Sequence, residues 1–330
     1  MKVLILKMSS LGDVIHTLPA IEDAYQHCPH IQFDWVVEEA FQEIPAFHPA
    51  VRRVIPIRLR AWRKKWGNKA IWQDIRLFMQ QLQDNEYDLI IDAQGLLKSA
   101  LVSILAKGKR VGFDFSSARE PLASLFYHQK INIPKKQQAI TRVRALLAQA
   151  LNYPEPQSPP KLNIPDVNLM VYPIFNPYWV FLHATTWPTK HWPESYWAEL
   201  TRLATQAGHQ VVFPWGNTTE KARAERLSQQ GGTVLPALNL KTLTFILKHA
   251  AGCVSVDTGL GHLAALLGTP TLSLYGATSP YLTGTVGAKR LATLTCAPCL
   301  KRQCRISTEV YSPCMRSLTP ESVFHDFFRT

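Results

Sequence analysis

Three features are missing from this chain of 330 residues. No window approaches the uninterrupted apolar length of a membrane-spanning helix. Nothing reads as a signal peptide, because Val3-Leu4-Ile5-Leu6 is only strand-length and is followed by Lys7 and a loop. The six cysteines are spread unevenly, unlike a secreted disulfide scaffold. A cytosolic protein is therefore expected. The third absence is the dinucleotide fingerprint: after Leu6 there is a single Gly12 and no G-x-G-x-x-G, so an NAD-dependent oxidoreductase loses its best support.

What is present suits two globular domains. Hydrophobic residues make up 46% and charged residues 18%, enough for a core in each half of a chain this long. The net charge of +12 predicts an anionic partner: nucleic acid, a phosphorylated small molecule or an anionic membrane surface.

The apolar run Lys2–Leu6 has the character of a central parallel strand. Pro19 lacks an N–H, so it belongs in the first turn of a helix starting near Leu18 and running to about His27. That leaves Asp13 on a loop or single turn beyond the carboxyl end of the strand, the edge where open α/β sheets bind ligands. Further strands are expected at Phe33–Val37, Val54–Ile57, Asp88–Ile91 and Val111–Phe113, with helices at Ala70–Leu82, Leu96–Ala106 and Ala139–Leu151.

Pro154, Pro156, Pro159, Pro160 and Pro165 then crowd one segment, the composition of an interdomain linker. A second series follows, with strands at Trp179–His183, Gln210–Phe213, Cys253–Val256 and Thr271–Tyr275. Its helices are expected at Glu194–Ala207, Thr219–Gln229, Leu240–Ala250 and Thr258–Leu267. The fold class is α/β: two Rossmann-like, doubly wound domains, 1–165 and 166–330, facing a cleft. Thr319-Pro320-Glu321 opens a last helix, about 319–330, expected to pack back on the first domain.

Four places carry chemistry. Asp13, with Ser9, Ser10 and Lys7 nearby, is either a general base for a hydroxyl nucleophile or a helix cap. Thr185, Thr186 and Lys190 follow a strand and suit a diphosphate, by hydrogen bonds and by a point charge. Asp257-Thr258-Gly259-Leu260-Gly261-His262 joins a buried strand to a helix, where unpaired N–H groups and glycines suit an anion. Glu220, after Pro214-Trp215-Gly216, is placed to accept ribose hydroxyls or is an ordinary surface acid.

The tract Arg52, Arg53, Arg58, Arg60, Arg63, Lys64, Lys65, Lys69 contains no acid, and Trp62 and Trp66 are interleaved. It suits nucleic acid or the interface of an anionic membrane, or forms a solvated basic face.

The stretches Lys7–Ala20, Phe33–Glu39, Asp92–Leu96, Arg119–Ser124, His183–Thr186, Lys190–Glu194 and Ser255–Leu260 together resemble the ADP-heptose glycosyltransferases of GT-B fold, within them the lipopolysaccharide heptosyltransferase I branch. The matches run from the first strand to about Tyr275. The resemblance implies inverting, metal-independent transfer of L-glycero-D-manno-heptose from ADP-heptose to a Kdo residue of Kdo-lipid A, without a cofactor. It implies Asp13 as the general base. It assigns the donor to Thr185, Thr186, Lys190, Glu220, Asp257, Thr258, Gly259 and His262. The acceptor side falls on Arg60, Arg63, Lys64 and Arg119, with Ser9 and Ser10 beside the base. The enzyme is then expected at the cytoplasmic face of the inner membrane, held peripherally through the basic tract, with no nucleic acid.

The sequence departs from that branch at Cys296, Cys299, Cys304 and Cys314. Their C-x2-C-x4-C-x9-C spacing resembles other members, including heptosyltransferase II. It leaves zinc, reduced thiols and disulfides open, and because the Asp13 mechanism needs no metal, non-metal thiols are preferred. Rival functions are a heptosyltransferase II-like acceptor, a GT-B sugar-nucleotide epimerase and a nucleic-acid-binding module.

Overall fold

A computed structural model describes residues 1–64, 69–164 and 177–328. Lys65, Trp66 and Pro165 lie outside the described residues, as does the side chain of Lys64. The chain divides into two units, Met1–Ile164 and Pro165–Thr330.

The first unit holds β1 (Lys2–Leu6), α1 (Leu11–Ile15), α2 (Leu18–His27), β2 (Gln32–Glu38), β3 (Val51–Ile57), α3 (Leu59–Lys64), α4 (Lys69–Gln83), β4 (Glu86–Asp92), α5 (Leu97–Leu105), β5 (Lys107–Phe113), β6 (Gln129–Ile131) and α6 (Ala139–Leu151). The second holds β7 (Tyr178–Leu182), α7 (Glu194–Gln206), β8 (Gln210–Phe213), α8 (Thr218–Ser228), β9 (Thr233–Val234), α9 (Leu240–Lys248), β10 (Gly252–Val256), α10 (Gly259–Leu266), β11 (Thr271–Tyr275), α11 (Pro280–Thr283), β12 (Ala288–Leu291), α12 (Pro313–Arg316) and α13 (Pro320–Phe328).

Each unit is built on a six-stranded sheet, and every pairing described is parallel. The first runs β3-β2-β1-β4-β5-β6. The second, read from one edge, runs β9-β8-β7-β10-β11-β12, the same order shifted by six strands. In both, the order reverses between the first and fourth strands, and the loops beyond that reversal form a crevice at the carboxyl edge. Those loops follow β1 and β4 in one unit and β7 and β10 in the other.

The residues explain why the centres are strands. Val3–Leu6 and Gly252–Val256 are fully buried along their length, as strands covered by helices on both faces must be. Around them Trp62, Ile71 and Phe78 fill one core, and Phe181, Trp192, Trp197 and Phe213 the other. Three strands were not expected from sequence: β6, β9 and β12. Each is a short edge strand of two to four residues, too small and too polar to carry a hydrophobic pattern.

The last helix is covered within its own unit. α13 lays Phe327 and Phe328 against Trp179 of β7, with ring centroids 5.1 Å and 4.2 Å away. Its apolar face finds cover on α7 and the core of its own unit.

Candidate active site

At the β1 edge, Asp13 lies inside the single turn α1, half-buried. Its Oδ2 accepts from the Ser10 backbone N–H at 2.8 Å and from the Ser10 hydroxyl at 3.0 Å. Burial pushes the Asp13 carboxyl up, but the Lys7 charge and the two Ser10 donors outweigh it and hold the group below its ordinary value. Asp13 therefore caps its turn and is held as an ionised carboxylate. Lys7 is buried, and its Nζ donates to the Ala93 carbonyl at 2.7 Å. Burial pulls the Lys7 ammonium below its ordinary value against the opposing pull of Asp13 and Asp92.

Two supporting residues were missed in the sequence. Gln94, after β4, accepts the Met8 N–H at 2.9 Å and the Ser9 N–H at 3.3 Å on Oε1, and its Nε2 donates to the Ser9 carbonyl at 2.6 Å. It clamps the loop that carries Ser9 and Ser10. Asp92 is fully buried, accepts from the Gln94 and Gly95 N–H groups at 2.8 Å and 3.1 Å, and takes the Tyr127 hydroxyl at 2.7 Å. Both stand in the D-A-Q-G run, but Gln94 bonds to a loop 85 residues away and Asp92 to a tyrosine 35 residues away, which no local pattern encodes. Gly95 takes a positive φ of 65° there, and a side chain would crowd Phe113 and the Arg119 backbone. Arg119 thus belongs to the same edge, exposed, near enough that its charge helps lower Lys7.

At the β7/β10 edge the centre is Asp257. Its Oδ2 lies 2.7 Å from Lys190 Nζ and accepts the Thr278 hydroxyl at 2.6 Å, while Oδ1 lies 3.3 Å from His262 Nε2. Burial pushes Asp257 up, and the bonds and charges of His262 and Lys190 more than reverse this, holding it well below the usual carboxylate range. Thr185 donates to the Asp257 carbonyl at 3.2 Å, and Thr186 is exposed beside it. Thr258 stands at the N-cap of α10, so the unpaired N–H groups of that helix open at this edge.

Gly261 serves packing rather than a left-handed turn. Neither Gly259 nor Gly261 has a positive φ, and a Cβ on Gly261 would meet Ser255 Oγ at 2.4 Å. The helix sits that close to its strand. Glu220 takes part in capping α8: its Oε2 accepts the Gly216 N–H at 2.8 Å, and its own N–H donates to Asn217 Oδ1 at 2.9 Å.

Comparison with known proteins bears on this geometry. The profile of glycosyltransferase family 9 (heptosyltransferase) matches residues 75–309. The chain belongs to that family. It is 50% identical to lipopolysaccharide heptosyltransferase 1 of Pseudomonas aeruginosa, over 92% of this chain and 87% of the relative. It is 48% identical to the Escherichia coli K12 protein of the same name, over 88% and 92%. Among solved structures it superposes on E. coli heptosyltransferase WaaC with ADP-2-deoxy-2-fluoro heptose, with a TM-score of 0.85 and 42% identity, covering 100% of this chain and 99% of that one. E. coli heptosyltransferase II, at 21% identity and TM-score 0.75, shares the fold. The fold of this family 9 glycosyltransferase is GT-B.

The tertiary structure divides the basic tract of this glycosyltransferase. Arg52 and Arg53 both reach Asp34, at 2.8 Å and 3.1 Å, and Arg58 bridges Glu39 and Asp74. The acids absent from the tract come from β2, the segment after it and α4. Trp62 is a core residue, edge-on to Phe78 with centroids 5.7 Å apart, which corrects the reading of it as an exposed interface tryptophan. Arg60 and Arg63 remain exposed on α3. Arg60 donates its N–H to the buried Glu38 carboxyl, which burial pushes up and Arg60 draws back.

All four cysteines of the C-terminal segment are free, and they line one cavity with Thr189 and Ala277. Cys296 and Cys299 are exposed, Cys304 half-buried and Cys314 buried. Burial pushes the Cys314 thiol up to about 11. Among the described residues no three metal-binding side chains are gathered as a ready site.

Proposed function

We propose that this glycosyltransferase transfers L-glycero-D-manno-heptose from ADP-heptose to a Kdo hydroxyl of Kdo-lipid A, with inversion and without a catalytic metal. The observation that carries the mechanism is Asp13, ionised beside Lys7 at the carboxyl end of β1. The first unit is the acceptor domain and the second the donor domain in this reading.

In the reaction, Asp13 removes the proton from the attacking Kdo hydroxyl as its oxygen bonds to the anomeric carbon. The bond from that carbon to the diphosphate oxygen breaks on the opposite face, and its electron pair leaves with ADP. Lys190 and the N-terminal N–H groups of α10 stabilise the charge gathering on the diphosphate. Thr185 and Thr186 hold the diphosphate, and Glu220 meets the ribose. Asp257 steers Lys190 and His262 and faces the sugar, since a carboxylate aimed at the diphosphate would repel it. Arg60, Arg63, Lys64 and Arg119 bind the anionic acceptor, with Ser9 and Ser10 beside the base. An acceptor carried on lipid A brings the first unit to an anionic membrane face.

The test is to incubate the protein with ADP-heptose and Kdo-lipid A, in forms with two Kdo units and with one phosphorylated Kdo, and to follow ADP release. Release that depends on either acceptor supports transfer. A change of sugar configuration with no acceptor would support the epimerase instead. Asp13→Ala should still bind ADP-heptose while losing turnover, and near-normal turnover would remove Asp13 as the base.

A further inference from the structure

Helix α5 is apolar on two faces. Ser99, Ala100, Val102 and Ser103 point into the unit, as a helix covering a sheet requires. Leu101, Ile104 and Leu105, spaced i, i+3, i+4, lie on the other face and are between 38% and 53% exposed. The 3-10 turn over Pro121–Phe126 packs against α5 and repeats the pattern at its own period of three. Leu122 and Leu125 are 54% and 65% exposed. Five large aliphatic side chains are thus exposed on two elements that pack together, and exposed apolar surface on that scale is of the kind that marks an interaction site.

The charges around the patch indicate what covers it. Lys98 is the second residue of α5, and Arg119 lies two residues before the 3-10 turn; both are exposed. Arg110 donates from Nε to the Phe126 carbonyl at 2.8 Å, fixing a third cation at the end of the turn. Segments 97–105 and 119–126 contain one acid, Glu120, whose carboxylate accepts the Leu97 N–H at 2.7 Å. A second copy would bring an equally basic rim against this one and be repelled. An anionic bilayer accepts the leucines among its acyl chains and the cations at its phosphates.

We infer that the α5 face and the Pro121–Phe126 turn are the surface through which this protein sits on an anionic membrane. The basic tract then has a narrower part than expected, since three of its arginines are paired within the unit and Trp62 is buried. The patch begins at the acceptor edge: Lys98 is close enough to Glu38 to act on it electrostatically, as Arg60 does. A membrane seated there would present a lipid-anchored acceptor beside Asp13. This inference rests on the proposed lipid acceptor for its purpose, but the binding itself is measured without any substrate.

The experiment is co-sedimentation of the full chain with vesicles of phosphatidylcholine, with and without phosphatidylglycerol. The wild type should bind the anionic vesicles and weaken as salt is raised. Leu101→Gln/Leu125→Gln should lower that binding at least about tenfold, because two aliphatic anchors no longer enter the acyl boundary. Being surface substitutions, they should leave the melting temperature unchanged, and they should leave turnover on a delipidated Kdo saccharide unchanged too. Turnover on vesicle-borne Kdo-lipid A should fall with the binding. Absence of wild-type binding, or full binding by the double variant, would overturn the inference. So would a wild-type dimer in sedimentation equilibrium that the double variant converts to monomer. Loss of transfer on every acceptor with vesicle binding intact would count against the proposed reaction and leave the membrane surface standing.

Discussion

Lys190 Nζ and Asp257 Oδ2 lie 2.7 Å apart, so the cation at the β7/β10 edge is already paired with a carboxylate. In the proposed mechanism a diphosphate arriving there meets an oriented lysine with part of its charge spent. Asp257→Asn should release the lysine and disorder it, raising KM for ADP-heptose about tenfold, the cost of one charge-assisted contact. Lys190→Met should do the same. The double variant should be little worse than either single one, as expected of residues acting as a unit. Additive losses would show that the two act separately.

The charge of Lys7 is the largest influence holding Asp13 ionised. A depressed folded pKa keeps Asp13, the proposed base, deprotonated as pH falls, until pH drops below the ordinary carboxylate range near about 4. The wild type should therefore show no acid limb from Asp13 between neutrality and that range. Lys7→Met leaves burial opposed only by weaker influences and should move an acid limb of kcat/KM upward. A profile identical to wild type would separate Lys7 from the base.

His183 is fully buried at the end of β7, and burial lowers its pKa to about 4, with Arg223 adding to the effect. Its folded pKa lies below the unfolded value of about 6.5, so the unfolded chain binds more protons between those two points. The stability from a neutral His183 is complete above pH 6.5 and is lost as pH falls toward 4, about 3 kcal/mol in all. Chemical denaturation from pH 7 to 4.5 should show this slope, and His183→Gln should flatten it. An unchanged slope would assign the acid sensitivity elsewhere.

Trp62 packs on Phe78 in the core of the first unit. Trp62→Ala should cost about 3–5 kcal/mol of stability by leaving a cavity. Thermal or denaturant melting measures it. A variant as stable as wild type would contradict the buried placement.

The four C-terminal cysteines differ in access. In native protein a thiol reagent should modify Cys296 and Cys299 first and Cys304 more slowly. Cys314 should wait for unfolding, since burial keeps its thiol protonated as well as covered. Peptide mapping gives the order. Protection of all four in fresh protein, together with bound metal, would point to a metal site.

Much of this protein was legible in its residues. The central strands and most of the helices follow from runs and periods that depend on neighbours along the chain. Asp13 and Asp257 stand out because each follows a buried apolar run, and in a doubly wound sheet that position is an edge. The tertiary structure decided what distance along the chain conceals. Gln94 clamps the Ser9 loop, and Asp34 pairs with two arginines of a tract that itself contains no acid. Trp62 turned inward, and the exposed leucines of α5 became visible only when its other face was covered. A side chain's partners are set by which strands lie adjacent, and strand order is a property of the folded sheet.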